Sequence, residues 1–134
     1  MLAELKRVTK PGGRVAVIVR AVDIPAWINL PESVELRAKL SVPGLFGAGV
    51  AAGGCADASL YQRLSAAGLV RLNCFPQFEA VTPKQPRLRM LQQQALAILD
   101  QEQATELRRA MSQAEAEGTA FIAMPHHCAV ATKP

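Results

Sequence analysis

Five consecutive apolar residues, Val15-Ala16-Val17-Ile18-Val19, follow closely on a Lys10-Pro11-Gly12-Gly13 turn, and this run constrains the fold more than any other feature. Most of its side chains are β-branched, so the run favours a strand. Its unbroken apolarity predicts burial on both faces, as in a central parallel strand with helices on either side. Such a strand needs neighbours on both edges, because a bare apolar rim templates aggregation. Ahead of it, Leu2, Leu5 and Val8 share one helical face while Glu4, Lys6 and Arg7 lie off it. That helix is already running at the first residue without a cap, which predicts a start upstream, and the Pro-Gly-Gly turn ends it.

The rest of the chain alternates helix and strand. Residues 31–40 predict a short helix with Val34, Leu36 and Leu40 as its apolar positions. Residues 43–54 carry Gly44, Gly47, Gly49, Gly53 and Gly54, which suit either a lid over a ligand or a plain connector. They do not match GxGxxG, so no phosphate cradle is read there. Asp57 is the expected N-cap of a helix reaching Ala67, with Leu60, Leu64 and Ala67 inward and Gly68 closing it. Residues 69–78 read as a second strand. Residues 87–117 are helical in pattern but change phase. Leu88, Leu91, Ala95, Ile98 and Leu99 form one stripe and Leu107, Met111 and Ala114 another, so a break is expected over residues 100–105. Beyond Gly118, residues 119–132 predict a last strand that Pro125 bulges or kinks. The pattern is α/β with three strands.

Composition narrows the function classes. A chain of 134 residues, half of them apolar, is expected to form one domain with a sizeable core. The 15 Lys and Arg against 11 Asp and Glu give +4, but the cations are dispersed and aromatics are few, which argues against a nucleic-acid binder. No stretch approaches the roughly 18 to 20 apolar residues of a membrane span, and the charged, patterned start is unlike a signal peptide. Cys55, Cys74 and Cys128 are odd in number and form no CxxC pair. A disulfide framework or structural zinc site is therefore not expected, and a reducing cytoplasm fits.

The stretch from Met1 to Val17 (MLAELKRVTKPGGRVAV) resembles the opening of the second half of class I S-adenosylmethionine-dependent methyltransferases. In that family a helix ending in R-V-L-K-P-G-G feeds the fifth strand of a seven-stranded sheet. The segment LYQRLSAAGL, from Leu60 to Leu69, is similar to the family's helix before the sixth strand. The segment GTAFIAMPHHCAVATKP, from Gly118 to Pro134, resembles the final antiparallel strand with its terminal Lys-Pro. Small-molecule methyltransferases of the ubiquinone and menaquinone type share this layout. The resemblance covers nearly the whole chain and implies the C-terminal half of a Rossmann-like methyltransferase sheet: strands five, six and seven, the last antiparallel, with flanking helices. Residues 1–134 would then be one partial domain. The glycine-rich first turn and the acidic residue that hold the cofactor in Rossmann-like proteins have no counterpart here. S-adenosylmethionine is accordingly expected for the parent enzyme and not for this chain alone.

Open α/β sheets bind ligands beyond the carboxyl ends of their parallel strands. For the first strand those residues are Arg20, Ala21, Val22 and Asp23, then Ile24 and Trp27. The resemblance assigns this region to the acceptor pocket, with Arg20, Asp23 and Trp27 as binding residues. Read without it, Asp23 is a turn or cap residue and Trp27 a packing residue. In His126-His127-Cys128 alternate strand residues face opposite sides, so His126 and Cys128 share a face and His127 points away. No ligand-spaced pair accompanies them, so no metal is expected. His126 joins the acceptor-side binding residues; the histidines suit either a general base or a packed strand end, and neither has an orienting acid nearby in sequence. Arg87, Arg89, Arg108 and Arg109 are assigned to solvated helix faces. The expected function is the C-terminal portion of a methyltransferase acting on a small organic acceptor, inactive alone. The alternative is a non-catalytic interaction module whose strand edge pairs with another chain. The expected partner is a second copy, giving a homodimer, or a separate N-terminal half.

Overall fold

The computed structural model describes residues 2–47 and 55–134, and the side chains of 55 and 56 are outside that description. The elements in order are α1 (Leu2–Val8), β1 (Arg14–Ala21), β2 (Trp27–Asn29), α2 (Val34–Leu40), a 3-10 turn at Leu45–Gly47, β3 (Cys55–Ala56), α3 (Leu60–Ala66), β4 (Val70–Val81), α4 (Arg87–Leu96), α5 (Gln101–Glu117) and β5 (Phe121–Thr132). The architecture is mixed α/β with a largely antiparallel sheet. β5 pairs with β1, β2 and β4, and β3 joins the far edge of β1 in parallel. The chain divides into two compact units, one of Met1–Asp23, Val50–Gln77 and His126–Pro134, the other of Ile24–Gly49 and Phe78–Pro125.

In the first unit, β1 and β5 pair antiparallel from Arg14↔Thr132 to Arg20↔His126. Val15, Val17, Val19, Ala129 and Ala131 point to one face, where Leu60 and Leu64 of α3 and Leu2 and Leu5 of α1 cover them. The Pro-Gly-Gly turn is built for close approach. Gly12 adopts φ 74°, and a Cβ at Gly13 would stand 2.7 Å from Thr9 Cγ2 and 2.8 Å from the Lys10 carbonyl. Two backbone bonds tie this turn to the end of the chain: Gly12 N–H donates to Lys133 O, and Lys133 N–H donates to Gly13 O, both at 2.9 Å.

In the second unit, α2, α4 and α5 bury Leu36, Leu40, Leu88, Leu91, Leu107 and Met111 against Ile122 and Met124 of β5. The expected break between α4 and α5 is present. Asp100 starts α5 with a reciprocal cap, its carboxylate accepting from Gln103 N–H at 2.9 Å while the Gln103 side chain reaches back to Asp100 N–H. Gly118 ends α5 in the left-handed region at φ 72°.

Several expectations need correction. β1 is not buried on both faces: its burial alternates along Arg14–Ala21, and Ile18 is 67% exposed. The helices packed on it cover one side only, which an apolar run cannot reveal. Among the described residues five strands replace three, because Trp27–Asn29 and Cys55–Ala56 also pair. Residues 14–19 still have one edge without a strand partner among the described residues, since β3 reaches only Arg20 and Ala21.

Val34 is 79% exposed rather than inward, because the Ser33 cap puts Leu36 and Leu40 on the buried face of α2. Ser59, not Asp57, is the N-cap of α3. Asp57 instead makes the preceding turn, accepting from Ser59 N–H at 2.9 Å, and its bonds from Ser59 hold its carboxyl below the ordinary range. Ile98 is exposed rather than part of the α4 stripe. Pro125 falls between the residues of β5 paired with β2 and those paired with β1, where it owes neither ladder an N–H. Of the glycine cluster, Gly49, Gly53 and Gly54 lie outside the described residues. No helix among the described residues is long and apolar enough to cross a membrane.

Candidate functional site

The candidate residues fall into two separate groups, one in each unit. In the first unit, Arg20 stands directly opposite His126 across the β1–β5 ladder, so the two share a face. His127, one residue on, stands opposite Val19 and turns to the other face, as strand alternation requires. There its Nε2 lies 2.6 Å from Asp23 Oδ1. The second carboxylate oxygen, Asp23 Oδ2, accepts from Ala58 N–H at 3.1 Å, just ahead of α3.

This arrangement fixes Asp23 at both oxygens and leaves the imidazole one orientation. With Nε2–H donating to Asp23, the lone pair sits on His127 Nδ1, which can accept a proton. Asp23 thus supplies His127 with the carboxylate partner that neither histidine has nearby in sequence. The partner was invisible in sequence because 104 residues separate the two. The only available signal was the strand alternation that sets His127 apart from His126.

The second unit holds Trp27. Its ring stacks on Phe78 with centroids 4.5 Å apart and planes at 19°, yet Trp27 stays 63% exposed. Trp27, Asn29, Glu32, Arg37 and Ser41 line a cavity of about 230 Å³ with Leu30 and Leu40 at its apolar wall. Glu32 was not singled out by sequence. Its side chain is 1% exposed, with Oε1 paired to Arg37 Nε at 2.7 Å. Its Oε2 is buried and has no hydrogen-bond partner. A carboxylate so placed is costly unless donors meet it.

Among the described residues no group of three or more His, Cys, Asp or Glu side chains comes together to hold a metal ion. Nor does a glycine-rich turn join a strand to a helix among them. No family model matches the chain, and no curated protein matches it either.

Proposed function

We propose that the chain is the C-terminal portion of a class I S-adenosylmethionine-dependent methyltransferase acting on a small organic acceptor. The observation that carries this reading is the join between its two end motifs. The Lys-Pro-Gly-Gly turn before β1 and the Lys-Pro after β5 meet through paired backbone bonds, and β5 runs antiparallel to β1. A Rossmann-like sheet that closes on an antiparallel last strand requires both. The bare face of β1, with Ile18 outward, supports a missing half that would cover it.

In this reading the acceptor-side candidates of the first unit lie on two faces, Arg20 with His126 on one and Asp23 with His127 on the other, while Trp27 belongs to the second unit, and S-adenosylmethionine is held by the other half. His127 is the candidate base. Its Nδ1 takes the proton from an acceptor hydroxyl while Asp23 holds the ring, a contribution of about 10²–10⁴ in rate. The cytoplasm remains the proposed location.

The alternative, a non-catalytic module that pairs through its strand edge, rests on the edge of residues 14–19, which has no strand partner among the described residues. The coding DNA immediately upstream separates the two. An in-frame segment with a GxGxG turn supports the enzyme, and a protein extended by it should transfer labelled methyl groups, with His127→Gln reducing kcat at unchanged folding. A promoter and ribosome site directly before the first codon would contradict the enzyme reading and leave the module.

A further inference from the structure

We propose that an open cavity in the first unit, on the sheet face opposite α1 and α3, binds a phosphate monoester carried on a flat aromatic body. Arg14 of β1, Val130 and Thr132 of β5, and Arg71, Asn73 and Phe75 of β4 line it, and its volume is about 560 Å³. All six belong to the first unit. Arg14 stands directly opposite Thr132, and β4 also pairs with β5, so the cavity spans three strands. It lies at the other end of the β1–β5 ladder from His126 and does not rest on the methyltransferase reading.

The charge of the lining has one sign. Neither Arg14 nor Arg71 makes a side-chain hydrogen bond or ion pair among the described residues, and no carboxylate lines the cavity. The first unit holds eight Lys and Arg against three Asp and Glu, so the positive surplus of the chain is concentrated in it. Each of those acids is engaged elsewhere: Glu4 with Arg7, Asp23 with His127 and Asp57 with Ser59. Two cations gathered on one cavity without a counter-charge raise the local potential and draw an anion. Asn73 and Thr132 both donate and accept, so they fit an anion without reversing the preference. Arg71 also carries the only positive φ outside glycine among the described residues, 52°, in a region where a long side chain is uncommon. Backbone strain of this kind collects at ligand sites, and here it falls on a residue of the lining.

A phosphate monoester suits a guanidinium pair because its three free oxygens serve both planar forks, whereas the two oxygens of a carboxylate are filled by one. Phe75, 41% exposed, and Val130 give the apolar side on which a flat ring packs. The volume far exceeds a bare phosphate and lies within the range of small-molecule sites. Both arginines are exposed, so solvent screens them, and an affinity of roughly 0.1–1 mM that weakens with salt is expected.

Phenyl phosphate, inorganic phosphate and phenol are titrated separately into the ¹⁵N-labelled chain at neutral pH and low salt, with amide chemical shifts as the readout. Saturable shifts centred on Arg71, Asn73, Phe75 and Val130 are expected with phenyl phosphate. Inorganic phosphate should bind roughly three- to tenfold more weakly for want of the ring, and phenol should not saturate. Adenosine monophosphate separates two sources of such a ligand: tighter binding than phenyl phosphate assigns a nucleotide, and weaker binding a simple aryl phosphate. Arg71→Asn removes the guanidinium and places a residue that tolerates the same backbone. It should keep the urea midpoint and weaken phenyl phosphate roughly tenfold or more. Arg14→Gln should weaken it likewise, and it decides alone if Arg71→Asn does not fold. Unchanged binding in Arg14→Gln, shifts scattered away from the lining, or no saturation with phenyl phosphate would overturn the site and leave both guanidiniums to solvent. Equal binding of inorganic phosphate would overturn the aromatic body.

Discussion

Two residues of α2, two positions apart, should respond to the same kind of truncation in opposite ways. Leu36 is fully buried and packs into the core of the second unit, whereas Val34 is 79% exposed. Leu36→Ala removes three carbons, a transfer loss of about 2.4 kcal/mol at roughly 0.8 kcal/mol per carbon. The cavity left behind raises the cost to about 3–5 kcal/mol. That is a large share of the roughly 5–15 kcal/mol that holds an ordinary domain together. Val34→Ala loses almost no burial and exchanges a β-branched residue for the best helix former. Its expected effect lies between zero and about 0.5 kcal/mol of stabilisation. Urea unfolding followed by far-ultraviolet circular dichroism measures both, with equal slopes required for the comparison. A cost at Val34 as large as at Leu36 would refute the packing of α2, because it would rotate the helix by the two positions that separate them.

Other expectations follow from particular bonds and burials. Asp100→Ala removes the reciprocal cap of α5 and should cost about 1 kcal/mol in the same unfolding assay, while Asp100→Asn should cost less. No loss in Asp100→Ala would mean that the cap is not formed in solution. Burial pushes the thiols of Cys74 and Cys128 above their ordinary range, so the reactive thiolate becomes abundant only at higher pH than in a free peptide. Both should alkylate with iodoacetamide more slowly than a cysteine peptide at neutral pH, and buried Cys128 more slowly than exposed Cys74. Peptide mapping by mass spectrometry reads the two rates, and faster labelling of Cys128 would contradict its burial.

Much of the fold was legible wherever one local signal sufficed. The phase change between Leu99 and Leu107 located the boundary between α4 and α5, where the structure places the Asp100 cap. The Lys-Pro-Gly-Gly turn marked the start of β1 because Gly12 and Gly13 meet backbone demands few other residues can meet. Number of layers is a different matter. The run Val15-Ala16-Val17-Ile18-Val19 is as apolar as a strand sandwiched by helices, and only the packing of α1 and α3 on one side shows that Ile18 faces outward. Strand Trp27–Asn29 was illegible because three residues carry no period, and its partner in β5 lies far along the chain.

The candidate site divides the same way. Alternation in His126-His127-Cys128 correctly separated the two histidines, but pairing of His127 with Asp23 depends on the β1–β5 register. Glu32 escaped notice because a charged residue between Pro31 and Ser33 reads as surface. Its burial follows from the way Ser33 starts α2: the Ser33 N–H and hydroxyl both bond to Glu106 of α5, at 2.6 and 3.1 Å. Trp27 was legible as a candidate by position and exposed in fact, but its stacking on Phe78 needed the fold.

Light scattering on the purified chain, with S-adenosylmethionine calorimetry on the same sample, tests the central claim most directly. If the chain is the proposed C-terminal half, it should associate into a dimer or larger species and show no micromolar cofactor binding. A stable monomer that binds S-adenosylmethionine would contradict the account, because the cofactor-holding half would then not be needed.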